Sequence, residues 1–420
     1  MSIGLKLSGY KKAAKDKLIS IYNKPKYVYI PLINCNDVDI TVLVKKGDYV
    51  LKGAHVGKRK GKIKFPIIST VSGTVIDFVN MPYLNGEEVK CVKIENDFKE
   101  KSIENKVVNK IDKKTFLNIL QDNSILGMGG AGFPTYIKYS TEKINKLLIN
   151  AVECEPYITA DYVLLKEHTE EILEAIDMIM DINKIDEAFI AVKKTNIELL
   201  KVLNNYIGTY LKIKIKEVPN LYPIGWERSL IKEIYNTSYD KFPTEKNIVV
   251  NNVSTIFAIY EALKYNKPLT ERVVTFTGNI VKKPKNILVK VGSTATDVIK
   301  EMLGKEKLKD FNLIAGGPMM GTLSDNDLVI TSNLTCVLIM DKQFERGTEC
   351  MKCGKCVDVC PVKLTPVLIK NSLNNMERLK ELQADRCMEC GLCSYICPAK
   401  LPIREYVKEA KDKIKRGEEV

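Results

Sequence analysis

The chain has 420 residues, 45% of them hydrophobic, and a formal net charge of +13. That length exceeds what one hydrophobic core serves, so two to four domains are expected, and no uncharged apolar run is long enough to cross a bilayer. The basic excess is mostly Lys beside Asp or Glu, as in EKLKD and KEAKDKIK, with no basic patch interleaved with aromatics, so nucleic acid is not an expected partner.

The first residues, MSIGLKLSGYKKAAKDK, have no apolar stretch and no small-residue cleavage site, so no secretory signal is expected there. From residue 28 to about 97 the pattern alternates and turns often: VYIPL, ITVLVKKGDYVLKGAHVGK, PIISTVSGTVIDFV, CVKIEND. These are short strands with Gly turns. VKKGDYVLKGAHVG followed by VSGTV is similar to a biotinyl/lipoyl-type sandwich. The hairpin tip reads STVSG and offers no modifiable Lys, so a docking or scaffolding module is expected rather than a swinging arm. From 112 to 265, strands alternate with helices: KLLINAVE, EAFIAVKK and NIVVNNV as strands, TEEILEAIDMIMDI and STIFAIYEALKY as helices. That is α/β patterning. Residues 272 to 340 return to strands around one helix, and a small β-grasp-like domain fits them. The stretch Leu328 to Met340 reads as buried strands. Residues 345 to 420 read as helical with cysteine-rich turns.

Eight of the twelve cysteines fall in two runs near the C-terminus. Cys350, Cys353, Cys356 and Cys360 form C-x2-C-x2-C-x3-C before Pro361. Cys387, Cys390, Cys393 and Cys397 repeat it 37 residues later before Pro398. The pattern favours metal over disulfides. Three thiolates two residues apart wrap one face of a cubane. Gly354 and Gly391 let the backbone turn close to the inorganic sulfides. The fourth Cys, expected at the start of a helix pointing away, serves the other cluster in this motif, as in bacterial two-cluster ferredoxins. One [4Fe–4S] cluster is therefore expected on Cys350, Cys353, Cys356 and Cys397, the other on Cys387, Cys390, Cys393 and Cys360. A pair of structural zinc sites is the competing reading, and the x3 spacing before Pro fits it poorly. LTPVLIKNSLNNMERLKELQ, between the runs, reads as helix. Cys35, Cys91 and Cys336 are expected to be buried apolar residues.

The second dense motif is GMGGAGFPT, Gly127 to Thr135. Glycines let backbone amides approach an anion, and a helix starting at Pro134 adds its positive end. No acidic ribose ligand stands at the expected strand end, so a simple dinucleotide fold is rejected. GMGGAGFPTYIKY resembles the flavin loop of the NADH-binding flavoprotein subunit of respiratory complex I. INAVECEPYITAD resembles that family's second motif and VVNNVST its third. These three motifs, with an N-terminal sandwich and a C-terminal ferredoxin-like pair, resemble the RnfC family of the Rnf complex, from residue 28 onward. AGGPMMG and RVVTFTGNIVKKPKNILVKVG are also similar to it.

The resemblance implies a multidomain α/β chain: a barrel-sandwich hybrid domain over 1–105, an α/β FMN- and NADH-binding domain over 106–267, a β-grasp (SLBB-like) domain over 268–343 and a ferredoxin-like 2×[4Fe–4S] domain over 344–420. It implies FMN held without a covalent bond. Gly127, Gly129, Gly130 and Gly132 belong to its loop. Phe133 matches an aromatic that stacks on NADH, and Lys138 a charge near the flavin phosphate or the dihydropyridine site. Asn150 and Glu153 match flavin-contacting positions, with Cys154 beside them where the complex I family has Ser. Glu155 matches a carboxylate near the nicotinamide. Asn251, Asn252 and Thr255 match phosphate and ribityl contacts, although an Asn pair at a strand-to-helix junction also suits a helix cap. Gly225 and Glu227 are kept from Tyr-Pro-x-Gly-Gly-Glu, but Trp226 replaces a glycine, and an indole there would crowd the nucleotide site. The N-terminal Gly-Gly-x-His-Pro of many members is absent. No general acid or base is expected, and His55 and His168 are given no role.

The implied activity is electron transfer between NAD(H), FMN and two [4Fe–4S] clusters in an ion-translocating ferredoxin:NAD oxidoreductase. The implied partners are membrane-embedded subunits and a ferredoxin-type subunit, with this chain peripheral on the cytoplasmic side of the cell membrane. Two alternatives stay open. One is a soluble relative feeding a proline or corrinoid reductase; the other is a relay subunit that has lost its nucleotide site.

Overall fold

The computed structural model describes residues 4–33, 39–61, 63–104, 106–303, 311–325, 327–342 and 347–417. Cys35 lies outside them. The chain begins by packing on elements distant in sequence. Leu5 bridges to Tyr222, and a short helix α1 (Lys12–Lys15) follows. Strand β1 (Ser20–Tyr22) then runs parallel to the strand at Lys285–Lys290.

The sandwich comes next, from β2 (Tyr27–Pro31), β3 (Ile40–Val42), β4 (Tyr49–Val50), β5 (His55–Arg59), β6 (Pro66–Ile68), β7 (Gly73–Pro82) and β8 (Glu88–Asn96). Two sheets, ordered β2-β8-β7-β4 and β3-β5-β6, close over Val28, Ile30, Val56, Val75, Val92 and Ile94. Along β2 every second residue is buried, the period of a half-buried strand. The STVSG tip is wholly buried, and Thr70 Oγ1 donates to the Val291 carbonyl at 2.5 Å. The tip docks on another part of the chain and has no freedom to swing. Cys91 is fully buried in β8.

The α/β unit carries helices α2 (Lys113–Asp122), α3 (Thr135–Tyr139), α4 (Ala160–Glu167), α5 (Thr169–Asn183), α6 (Ile197–Tyr206), α7 (Glu227–Tyr235) and α8 (Val253–Tyr265). They pack on strands β9 (Lys146–Asn150), β10 (Glu187–Lys193), β11 (Ile213–Val218) and β12 (Ile248–Asn252), all parallel in the order β11-β10-β9-β12. α5 buries Ile172, Leu173, Ala175, Ile176, Ile179 and Met180, an apolar stripe at helical spacing. β9 is central; β10 and β11 build outward on one side and β12 on the other. The order therefore reverses between β9 and β12, and the crevice at the carboxyl ends of strands where order reverses is where open parallel sheets bind ligands.

A mixed sheet follows: β13 (Glu271–Thr277), β14 (Lys285–Lys290), helix α9 (Ala295–Val298), β15 (Phe311–Ala315), β16 (Thr322–Ser324) and β17 (Cys336–Asp341). Its strand order is β1-β14-β13-β17-β15-β16, so the N-terminal segment supplies an edge strand. Cys336 is fully buried, as expected. The last unit holds α10 (Lys355–Asp358), α11 (Pro366–Asn371), α12 (Met376–Glu381), α13 (Leu392–Tyr395) and α14 (Ile403–Gly417). α14 buries Ile403, Val407, Ala410 and Ile414 at spacings of three and four. Burial of the larger three contributes roughly 1.5–3 kcal/mol each. Among the described residues no helix is long and apolar enough to cross a membrane.

Candidate functional site

The glycine loop lies at the reversal point between β9 and β12. Gly127 N donates to the Phe133 carbonyl at 2.9 Å, closing the loop into a narrow turn. Pro134 caps the short α3 that follows, as expected. Gly129 presses on Asn252: a Cβ there would lie 2.8 Å from the amide side chain. Met128 N donates to Thr255 Oγ1 at 2.9 Å. Gly130 faces open space, with no atom within 4 Å of the place a Cβ would take. Gly132 has a positive φ of 69°, which the lack of a side chain makes inexpensive. Phe133 is half-buried and joins none of the described hydrophobic clusters.

Asn252 is the N-cap of α8, its Oδ1 accepting from Ser254 N at 2.9 Å. Its other end donates to Asp161 Oδ2 at 2.5 Å. The capping reading therefore holds for Asn252. Asn251 is 2% exposed and donates to the Tyr139 hydroxyl, while its Oδ1 is buried without a partner among the described residues. Lys138 donates to the Val250 carbonyl at 2.9 Å, and burial lowers its pKa against a weaker opposing pull from Glu227. Asn150 donates to the Gly225 carbonyl at 2.7 Å, and Gly225 leaves room for the Cys154 thiol, 3.1 Å from where a Cβ would stand. Glu227 opens α7 and accepts from the Tyr239 hydroxyl at 2.7 Å.

The two remaining carboxylates turn elsewhere. Glu153, at φ +43°, accepts from Asp161 N at 3.0 Å and stands 3.5 Å from Lys11 Nζ. Glu155 accepts from the backbone amides of Met319 at 3.2 Å and Met320 at 2.8 Å, in the AGGPMMG turn. Burial pushes its pKa up to about 7 despite those donors. Burial also raises the Cys154 thiol, so it is no activated nucleophile.

Three residues that hold this site were not singled out from sequence. Asp161 accepts from Asn252 and, at 2.6 Å, from Ser254 Oγ. Arg272, 2% exposed, donates to the carbonyls of Met128 at 3.2 Å and Ser332 at 2.6 Å, tying the glycine loop to the mixed sheet's unit. Asn333 donates to the Gly130 carbonyl at 2.9 Å. Asp161 stood inside the INAVECEPYITAD motif; the other two act across the fold and left no local signal.

The cysteine runs fold as a duplicate. Lys352 and Glu389, Gly354 and Gly391, Lys363 and Lys400 all have positive φ, each pair 37 residues apart. Gly354 and Gly391 cap α10 and α13. The fourth cysteine does not begin a helix, contrary to expectation. Cys360 and Cys397 follow α10 and α13, and the next helices start at Pro366 and Ile403. Pro361 and Pro398 explain this, since each enters a tight turn that helical hydrogen bonding cannot continue. The crossing occurs nonetheless. Cys350, Cys353, Cys356 and Cys397 line one cavity, and Cys360, Cys387, Cys390 and Cys393 line another. None of the eleven described cysteines is in a disulfide. Among the described residues no three His, Cys, Asp or Glu side chains converge on a point suited to a single ion. Each quartet rings a space instead. Burial pushes the Cys390 and Cys393 thiols up to about 12. A bound metal would take over from those protons.

Trp226 does not stand free over the glycine loop. Its indole is half-buried against Tyr222, Met319, Val359, Met388, Cys390 and Leu392, where the cysteine-rich unit meets the rest.

Residues 1–99 match the RnfC barrel sandwich hybrid domain, 120–261 the Nuo51 FMN-binding domain and 349–401 the 4Fe-4S dicluster domain. The chain is 31% identical over 373 residues to the C subunit of the proton-translocating ferredoxin:NAD+ oxidoreductase complex of Clostridium ljungdahlii, covering 86% of this chain and 81% of that one. It belongs to the RnfC family. Another relative is the C subunit of the Na+-translocating ferredoxin:NAD+ oxidoreductase complex of Acetobacterium woodii, 31% identical over 86% of this chain and 84% of its own. The C subunit of an ion-translocating oxidoreductase complex of Vibrio cholerae is 33% identical over 77% of this chain but only 44% of its own length. Among solved structures, an NAD+-reducing [NiFe]-hydrogenase chain superposes with a TM-score of 0.52 at 18% identity, over 72% of this chain and 63% of that one, a likeness of fold. This RnfC chain therefore combines an FMN-binding domain with a [4Fe–4S] dicluster domain, an oxidoreductase subunit built for electron transport.

Proposed function

We propose that this RnfC chain passes electrons between NAD(H), FMN and two [4Fe–4S] clusters as a peripheral subunit of an ion-translocating ferredoxin:NAD oxidoreductase. Its partners in this reading are membrane-embedded subunits and a ferredoxin-type subunit at the cytoplasmic side of the cell membrane. One observation carries the reading: the Glu153–Glu155 motif beside the candidate flavin site and the second cysteine quartet share a wall. Glu155 holds the Met319–Met320 turn. The Met319 carbonyl lies 2.4 Å from where a Cβ on Gly391 would be and accepts from Arg404 at 2.7 Å. The Tyr222 hydroxyl donates to the Cys390 carbonyl at 2.6 Å.

The residues present suit a flavin phosphate. Gly130 faces open space, Lys138 is a half-buried cation without a salt bridge among the described residues, and Asn251 keeps an orphaned oxygen. In this assignment Gly127, Gly129, Gly130 and Gly132 cradle FMN. Lys138, Asn251, Asn252 and Thr255 hold its phosphate and ribityl chain, and Asn150, Glu153, Cys154, Gly225 and Glu227 flank it. Phe133 and Glu155 border the nicotinamide. FMN, when bound, supplies the exchange between hydride pairs and single electrons that nicotinamide and clusters cannot make directly. Cys350, Cys353, Cys356 and Cys397 would ligate one cluster and Cys360, Cys387, Cys390 and Cys393 the other. We assign the unit built on β13–β17 as a β-grasp, SLBB-like domain. The division at 105, 267 and 343 suits the three later units, with residues 4–22 lent by the N-terminal domain to its neighbours.

The test is anaerobic purification with flavin and iron analysis, followed by NADH addition. One FMN and about eight irons per chain are expected, with flavin absorbance bleaching on NADH. Lys138→Met should lose FMN and keep its iron. Bound FMN that NADH leaves oxidised would instead favour a relay subunit without a nucleotide site.

A further inference from the structure

Behind the Val152–Tyr157 loop, away from the glycine loop, lies a cleft of about 710 Å³. Its walls are the N-terminal segment around α1, the carboxyl ends of β10 and β11, and the turn between β13 and β14. Four lysines line it (Lys11, Lys12, Lys15 and Lys193), and no Asp or Glu does among the described residues. Lys193 is 7% exposed, and its ammonium reaches only the Glu153 carbonyl, at 3.3 Å, with no carboxylate of the described residues inside ion-pair distance. A buried cation without a counter-charge is costly unless an anion joins it. Burial, and then Lys11, lower its pKa to about 8. Lys12 makes no ion pair among the described residues. The amides of Asn196 and Asn220 also line the cleft. Tyr10 and Tyr157 stack at one wall with ring centroids 4.8 Å apart and planes 11° apart, and Tyr10 is 63% exposed.

We propose that this cleft is a second ligand site, separate from the flavin site, and that it takes a nucleoside diphosphate. The phosphates lie among Lys11, Lys12 and Lys193, and the base extends the Tyr10–Tyr157 stack. Three ammonium groups against one nearby carboxylate, Glu153 at 3.5 Å from Lys11, leave the cleft net cationic, which favours phosphate. The available aromatic face separates a nucleotide from a simple dicarboxylate. The site is coupled to the flavin side by position. Lys11 and Lys193 both hold the Glu153 carbonyl, at 2.5 and 3.3 Å, and Cys154 lines the cleft.

The probe is radiolabelled ADP in equilibrium dialysis against the full-length, anaerobically purified holoprotein, with inorganic pyrophosphate as the second ligand. Saturable one-to-one ADP binding is expected to persist under saturating reduced nicotinamide mononucleotide, which lacks the adenylate half. Exposed Lys12→Glu should weaken both ligands about tenfold. Exposed Tyr10→Ala should weaken ADP and leave pyrophosphate unchanged. Three results would overturn the proposal: no saturable binding at millimolar ADP, unchanged affinity in Lys12→Glu, or complete displacement by reduced nicotinamide mononucleotide, which would put ADP on the flavin site. Equal losses of ADP and pyrophosphate in Tyr10→Ala would overturn the stacking of the base.

Discussion

The two cysteine quartets share a motif, a backbone and even their residues of positive φ, yet they sit in different surroundings. In the first, Cys353 and Met351 are exposed and Gly354 faces open space. In the second, Cys390 is buried, Gly391 presses on the Met319 carbonyl, and Tyr222 and Lys411 donate to the carbonyls of Cys390 and Cys387. Local sequence thus dictates the loop, while packing partners from other domains dictate its environment. Cluster potential follows charge, hydrogen bonding and solvent exposure more than ligand spacing, so two copies of one motif are set up to behave as unlike carriers. The buried one adjoins Tyr222 and the Met319 turn held by Glu155, and the open one faces outward.

The largest effect should come from one methyl group placed in each copy. Gly354→Ala and Gly391→Ala meet the same left-handed backbone, at φ +77°, costing roughly 1 kcal/mol each. At Gly391 the new Cβ would also stand 2.4 Å from a carbonyl oxygen. Backbone must then move, and a cost of roughly 4 kcal/mol or more is expected. Anaerobic unfolding followed by cluster absorbance should show Gly391→Ala losing iron far earlier than Gly354→Ala. Equal behaviour of the two variants would remove the packing difference on which the comparison rests.

The same division between local and distant causes decides what was legible in the sequence. α5 was readable from its helical period, β9, β10 and α8 as apolar segments of strand or helix length, and both quartets because ligand spacing is local chemistry. The crossing of Cys360 and Cys397 followed from the duplication. Three features were not legible. β1 pairs with a strand more than 260 residues away. Arg272 reaches Met128 across 144 residues and Ser332 across 60. Glu155 accepts from a turn 164 residues on. Each is a contact between domains whose residues look ordinary in their own segments. Trp226 is the converse case, an unusual residue that packs on a cluster shared with the cysteine-rich unit.

Glu155 supplies a test by pH. Its folded pKa, about 7, lies above the ordinary 4.5, so the fold prefers the protonated acid. Below 4.5 the group is neutral folded and unfolded, and it has no effect. As pH rises from 4.5 to 7 ionisation opposes folding, and above 7 the penalty is constant. Partial exposure reduces that penalty to about 2 kcal/mol. Glu155→Gln keeps a carbonyl acceptor for one Met amide and cannot ionise. Urea unfolding should find the variant gaining on the parent between pH 5 and pH 8 by about that amount. A difference independent of pH would mean that this wall, between the Glu153–Glu155 motif and the buried quartet, is wet.

The smallest effect concerns the potential of one cluster alone. Lys411 donates to the Cys387 carbonyl at 2.7 Å and pairs with Glu389 at 2.8 Å, its side chain 17% exposed. Reduction adds negative charge to a cluster, and a nearby ammonium favours it. Lys411→Met removes that charge and leaves Glu389 unpaired, both of which oppose reduction. The second quartet's potential should fall by on the order of 20–60 mV, the scale of a partly screened charge several ångströms away. The first quartet, whose cavity meets α14 at Ile403 and not at Lys411, should hold its value. Anaerobic titration monitored by electron paramagnetic resonance would resolve the two. A shared shift would show that the clusters titrate as one electronic unit, and the asymmetry of their surroundings would then have no bearing on the direction in which electrons leave.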